Sequence, residues 1–177
     1  MGSITTTLRA IRAHHPCESG YRKLVKSLGG VKAYGEDTPI TFRQIIDSND
    51  LADAFWCLRT VQGHDDLLRH FAVDCAERVR HLMKDKRSTD ALDVARMFAE
   101  GHASESERAA AGAAAGAAAG AAARAAARAA AGDAAWDAAW AAAGDAAWAA
   151  ARKWQADRLA FLMDQGHWTP VEQEAVR

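Results

Sequence analysis

The sequence predicts a mainly α-helical protein, with a helical amino-terminal region that has room for a small β element, packed on an alanine-rich helical bundle. Three observations support this. Large apolar residues recur every three or four positions from about residue 16 to residue 100, the spacing that lines up one face of a helix. At Ser104 the composition switches to an almost pure run of alanine, the strongest helix former. Glycines stand where such segments should stop, at Gly29-Gly30 and at Gly101. The expected division is a small mixed or helical amino-terminal domain over 1–62 and an alanine-rich helical bundle domain over 63–177.

Residues 4–12, ITTTLRAI and its continuation, are open to two readings, an edge strand favoured by the β-branched residues or a helical turn. A helix over 16–28 follows, with Pro16 at its start and Leu24, Val25 and Leu28 as its apolar stripe. Two short helices come next, one with Phe42, Ile45 and Ile46, the other with Leu51, Ala54, Phe55 and Leu58. Ser48-Asn49-Asp50 separates and caps them. The run DDLLRHFAVDCAERVRHLM repeats the helical pattern with Leu67, Leu68, Phe71, Cys75, Val79 and Leu82. STDALDVARMFAEG gives a further helix, opened by Ser88 or Asp90 and closed by Gly101. Phe55 and Phe71 are expected to be core residues on these stripes.

Ser104 and Glu107 have the spacing of a capping box. Beyond them lies an internal repeat of period four, marked by Gly112, Gly116, Gly120, Arg124, Arg128, Gly132, Trp136, Trp140, Gly144, Trp148 and Arg152. Four residues advance a helix by about 40° past a full turn, so the markers spiral around the axis instead of staying on one face. A single helix from 104 to 163 would run about 90 Å at 1.5 Å per residue. Two or three antiparallel helices, broken at Gly132-Asp133 and Gly144-Asp145, are the expected alternative. Gly112, Gly116 and Gly120 then read as close-packing positions, with the tryptophans filling wider gaps.

Charge is nearly balanced, 22 Lys and Arg against 23 Asp and Glu, which argues against a dominant affinity for nucleic-acid phosphates. Basic clusters at Arg22, Lys23 and Lys26 and at Lys84, Lys86 and Arg87 have acidic neighbours and no zinc-ligand spacing or aromatic-basic sheet motif beside them. Cys17, Cys57 and Cys75 form an odd set without C-x-x-C spacing or a secretory leader, so a reducing cytoplasm is expected. Gly2 and Thr6 fit a myristoylation pattern that chance also supplies. Arg124 and Arg128 interrupt the alanine tract and argue against membrane insertion.

No cofactor, metal site or side-chain catalysis is expected. His14, His15 and Cys17 are too adjacent to converge on one ion, and His64 and His70 fall on different faces of a helix. Cys75 and His81 are likewise out of phase, and Cys57 and Cys75 sit in apolar stripes. The glycines at 112, 116 and 120 lack the lysine and strand-turn-helix context of a phosphate loop.

The segments TLRAIRAHHPCESGYRKLVKSLG, IIDSNDLADAFWCLR and FAVDCAERVRHLM, followed by ALDVARMFAEG and the Ala-Trp repeats, resemble a group of phage- and prophage-associated bacterial proteins. The helical half is also similar to a family of bacterial immunity proteins, whose members join a cysteine-containing helix to an alanine-rich array. The glycines at 112, 116 and 120 depart from the charged positions usual in such arrays. The resemblance implies a non-catalytic inhibitor that blocks a bacterial defence complex in the manner of anti-CRISPR proteins. It also leaves open an immunity protein or antitoxin that neutralises a toxin, and a phage regulatory or nucleic-acid-binding protein. The partner would be a defence-complex protein or a toxin. The candidate protein interface comprises Trp136, Trp140 and Trp148 as anchors with Asp133, Asp137, Asp145 and Asp157 as acidic neighbours.

Overall fold

The computed structural model describes residues 2–129 and 134–171, and the side chains of Leu82 and of residues 118–147 lie outside what it describes. Helices dominate it, joined by one two-stranded antiparallel sheet. The chain divides into two compact units, Met1–Leu67 with Ala150–Arg177, and Leu68–Ala149. The boundary expected at residues 62 and 63 runs along the chain, whereas the first unit in space also takes in the carboxy-terminal stretch.

In the first unit both readings of residues 4–12 are realised in succession. Thr5–Thr6 forms strand β1, and Leu8–Ala13 forms helix α1, capped by the Thr7 hydroxyl, which accepts from the Ala10 amide at 3.1 Å. Helix α2, Glu18–Ser27, buries Leu24 on its apolar stripe, and the short α3, Val31–Tyr34, lies between Gly30 and Gly35, both in the left-handed region. Strand β2, Ile40–Thr41, pairs with β1 in the register Thr5 to Thr41 and Thr6 to Ile40. Thr41 then opens α4, Phe42–Ser48, through a reciprocal capping box with Gln44. Asp50 caps α5, Leu51–Cys57, which tightens into a 3-10 turn over Leu58–Thr60.

The core of this unit is made of large side chains. Leu8, Ile11, Ile40, Phe42 and Ile45 from the amino-terminal part are buried, as are Leu159, Leu162 and Met163 from the carboxy-terminal part. The two parts are also tied by the Ile4 amide, which donates to the Met163 carbonyl at 2.7 Å, and by Arg43, which donates to Asp157 at 3.0 Å. On α5 the buried stripe is Leu51, Ala54 and Cys57. Phe55 does not join it and is 39% exposed, because it stands about 100° around the helix from Ala54 and the buried face lies on the Leu51, Ala54 and Cys57 side.

Helix α6, Asp65–Glu77, leads into the second unit, where Phe71 is buried as its spacing predicts, Val73 is buried off the predicted stripe, and Val79, expected on that stripe but lying beyond the end of the helix, is exposed. After a 3-10 turn over Arg80–Leu82 comes α7, Lys86–Ala99. Its cap is Asp85, not Ser88 or Asp90: the Asp85 carboxylate accepts from the Arg87 amide at 2.9 Å and the helix starts one turn early. Gly101 in the left-handed region ends the segment, as expected. Helix α8, Glu105–Ala129, packs along α7 and opens on the expected box, with the Glu107 amide donating to Ser104 Oγ at 3.3 Å and the Ser104 amide to Glu107 Oε2 at 2.7 Å. The small core here is Val73, Leu92 and Ala99, with Ala76, Met83 and Ala95 around it.

Two expectations about the alanine tract are corrected. Helix α9, Ala134–Gln165, runs through Gly144 without a break, since a glycine inside a helix costs only about 1 kcal/mol and neighbouring alanines offset it. The expected break at Gly132-Asp133 lies outside the described residues. Gly112 and Gly116 are not close-packing positions. A β-carbon built on either meets nothing within 4 Å, so both face open space.

Candidate functional site

A protein-binding surface needs a large side chain that the fold positions but does not bury. Trp148 meets this description. It lies on α9 and is 63% exposed, the most open large apolar side chain among the described residues. Its position follows from the period-four repeat. Each marker steps about 40° around an unbroken helix, so by Trp148 the repeat has turned about 120° from Trp136.

The other candidate interface residues do not assemble around it. Asp133 lies outside the described residues, as do the side chains of Trp136, Asp137, Trp140 and Asp145. Asp157 is nine residues along the same helix, half a turn out of phase with Trp148 at about 100° per residue. Its carboxylate is already engaged, accepting from Lys153 at 2.6 Å and from Arg43 at 3.0 Å. Those two cations hold it below the ordinary aspartate range, Lys153 contributing most. Asp157 therefore serves the packing of the first unit.

The second unit contains a groove that the sequence reading missed. It has a volume of about 410 Å³. One wall is a single stripe of α6, Arg69, Ala72, Val73 and Ala76; the other is Leu92, Ala95 and Phe98 of α7, with Glu105 and Arg108 of α8 at the end. Two guanidinium groups lie over the Phe98 ring, Arg69 at 5.0 Å and Arg108 at 5.4 Å from its centroid. Arg108 also donates to Glu105 at 3.0 Å, which holds that carboxyl below its usual range. Large-residue periodicity points to Leu67 and Phe71 on α6 and passes over the alanines beside them, whose small size is what leaves the space. The available signal was the stripe 69, 72, 73, 76, small residues at helical spacing headed by an arginine.

In the first unit a cavity of about 70 Å³ is lined by Tyr21, Leu24, Trp56 and Cys57 among others. The adjoining polar cluster is structural. Asn49 Nδ2 donates to Asp53 at 2.7 Å and to the Gly20 carbonyl at 2.8 Å, clasping α2 to the α4–α5 junction. A β-carbon at Gly20 would sit 2.9 Å from Asp53 Oδ2 and 3.0 Å from Cys17 Sγ, so that approach needs glycine. Burial, and then the Asp53 charge, push the Cys57 thiol up to about 12, which leaves almost no thiolate at neutral pH.

Cys17 is exposed and Cys75 half-buried. Among the described residues no group of three or more His, Cys, Asp or Glu side chains is arranged to hold a metal ion, and no helix is long and apolar enough to cross a membrane. Comparison with known proteins gives no relative: no protein-family model matches the chain, and neither does any curated protein or solved structure.

Proposed function

We propose that the chain is a non-catalytic protein-binding inhibitor that blocks a bacterial defence complex by stoichiometric binding, the mode of action implied by its resemblance to phage- and prophage-associated proteins. The observation that supports a binding role is the exposure of Trp148 on a helix of the second unit. Tryptophan is the residue most enriched at interface hot spots, where a broad apolar ring enters a partner's pocket and its N–H finds an acceptor. Inhibition by occlusion requires a shaped surface and one or two such anchors, and no turnover.

The test is a titration of the intact chain against the activity of a captured defence complex. Inhibition should saturate at one chain per binding site. Trp148→Ala should weaken it by about 2 kcal/mol, roughly thirtyfold, with the helical circular-dichroism spectrum and melting temperature unchanged. Inhibition at strongly substoichiometric amounts would replace the reading with an enzymatic one. Capture of a toxin domain in place of a defence complex would replace it with immunity or antitoxin action, and capture of nucleic acid alone with steep salt dependence would replace it with nucleic-acid binding.

A further inference from the structure

We propose that the groove between α6, α7 and α8 is a binding site for a small monoanionic amphiphile, a carboxylate on an apolar chain, with the carboxylate held by Arg69 and the chain lying over the small residues of the groove. This site is separate from the Trp148 surface and does not depend on it.

The size of the groove points to a small molecule. Its volume of about 410 Å³ lies within the range of roughly 300–1,000 Å³ typical of ligand pockets. The space exists because Ala72, Ala76 and Ala95 stand where larger side chains would fill it, while the buried Val73 and Leu92 give it an apolar floor. From Arg69 to Ala76 the α6 stripe rises about 10 Å, at 1.5 Å per residue the length of a chain of about eight carbons.

The charge at the rim points to an anion. Each of the arginines 80, 87, 96 and 108 in this unit has a carboxylate partner: Arg80 binds Asp93 and Glu77, Arg87 binds Asp85, Arg96 binds Glu77 and Arg108 binds Glu105. Arg69 differs. Among the described residues it has no hydrogen-bonded ion pair: it lies over the face of Phe98, and its charge adds a small share to the lowering of the Glu105 carboxyl. Glu105, the nearest acidic lining residue, is committed to Arg108. The rim therefore carries two guanidinium groups against the one carboxylate of Glu105, and the donors of Arg69, hydrogen-bonded to no carboxylate among the described residues, suit a second carboxylate in two-pronged geometry. A neutral apolar ligand would leave that guanidinium unused, and a dianion would exceed it.

The experiment is an amide-shift titration of the whole chain by nuclear magnetic resonance, with sodium octanoate as the probe and octanamide as its uncharged counterpart. Octanoate should give saturable one-to-one shifts at Ala72, Val73, Ala76 and Ala95, and octanamide should bind about tenfold more weakly. Arg69→Gln, at an exposed position, should abolish that tenfold preference and leave the melting temperature unchanged. Ala72→Leu, also on the exposed side of α6, should fill the groove and remove the shifts for both probes while the circular-dichroism spectrum stays the same. The proposal is overturned if no saturable shift appears by about 10 mM, a Kd weaker than any useful binding. Equal affinity for octanoate and octanamide, full octanoate affinity in Arg69→Gln, or shifts that follow self-association of the chain in sedimentation would each overturn it as well.

Discussion

The two units are both helical, but they are built on different materials. The first has a core of Leu8, Ile11, Ile40, Phe42, Ile45, Leu159, Leu162 and Met163, all essentially without exposed surface. The second has, among its described residues, a buried Phe71 and a core cluster of Val73, Leu92 and Ala99 beside a groove, and its long α8 shows exposed alanine and glycine over much of its described length. Alanine satisfies the backbone's demand for helix at no rotamer cost, but it buries little area. High helix content and a strong core are thus separable. Among the described residues, most of the large buried side chains belong to the first unit, and much of α8 presents surface.

The largest effect that could break this contrast is in the first core. Phe42→Ala should destabilise the protein by about 3–5 kcal/mol, because the ring is fully buried and its removal leaves a cavity. Phe55→Ala, thirteen positions on, should cost less than about 1 kcal/mol, since that ring is 39% exposed. Chemical denaturation of both variants measures the difference, and equal losses would mean that the α5 stripe faces the other way.

The comparison also shows what a sequence can and cannot reveal. Elements whose ends carry their own chemistry were legible: the Asp50 and Ser104 caps, the Leu24 stripe of α2 and the stop at Gly101 all appear where local rules place them. The misreadings come where local rules tie. On α5, Ala54 and Phe55 both fit a helical stripe, and only tertiary packing turned the smaller one inward. At the start of α7, three polar residues within six positions could each cap, and Asp85 does so by reaching the Arg87 amide. In the alanine tract a glycine every fourth residue is compatible with close packing and with plain exposure, and the open space around Gly112 and Gly116 decides for exposure. The groove was passed over because its α6 wall is mostly alanine, which a search for stripes of large apolar residues does not register.

A smaller effect sharpens the contrast in the second unit. Because Gly112 and Gly116 face open space inside a helix, Gly112→Ala and Gly116→Ala should each stabilise α8 by roughly 1 kcal/mol. Gly116→Leu should also be stabilising, the reverse of what close packing would give. The melting temperature of the double alanine variant is the readout, and a fall would place another surface against these glycines.

The smallest effect is electrostatic. Hydrogen bonds to the Arg87 side chain and amide lower the carboxyl of Asp85 from its ordinary 3.8 to about 2. A carboxyl lowered in the folded state stabilises it fully above its unfolded value and loses that contribution as pH falls through the folded one. A shallow loss of stability is therefore expected between pH 3.8 and about 2, and the exposure of the group keeps it slight. Asp85→Asn should flatten that part of the melting-temperature profile against pH, whereas an unchanged profile would show that the cap contributes nothing measurable.

The central claim, that among the described residues the large buried side chains are concentrated in the first unit while the opening turns of α8 are exposed, is tested most directly by hydrogen exchange on the intact chain followed residue by residue. Amides of α1, α2, α4 and the Leu159–Met163 stretch should exchange only through global unfolding, while those of α8 from Ala109 to Ala117 should open locally and exchange much faster. Equal protection of α8 and the first core would contradict the account.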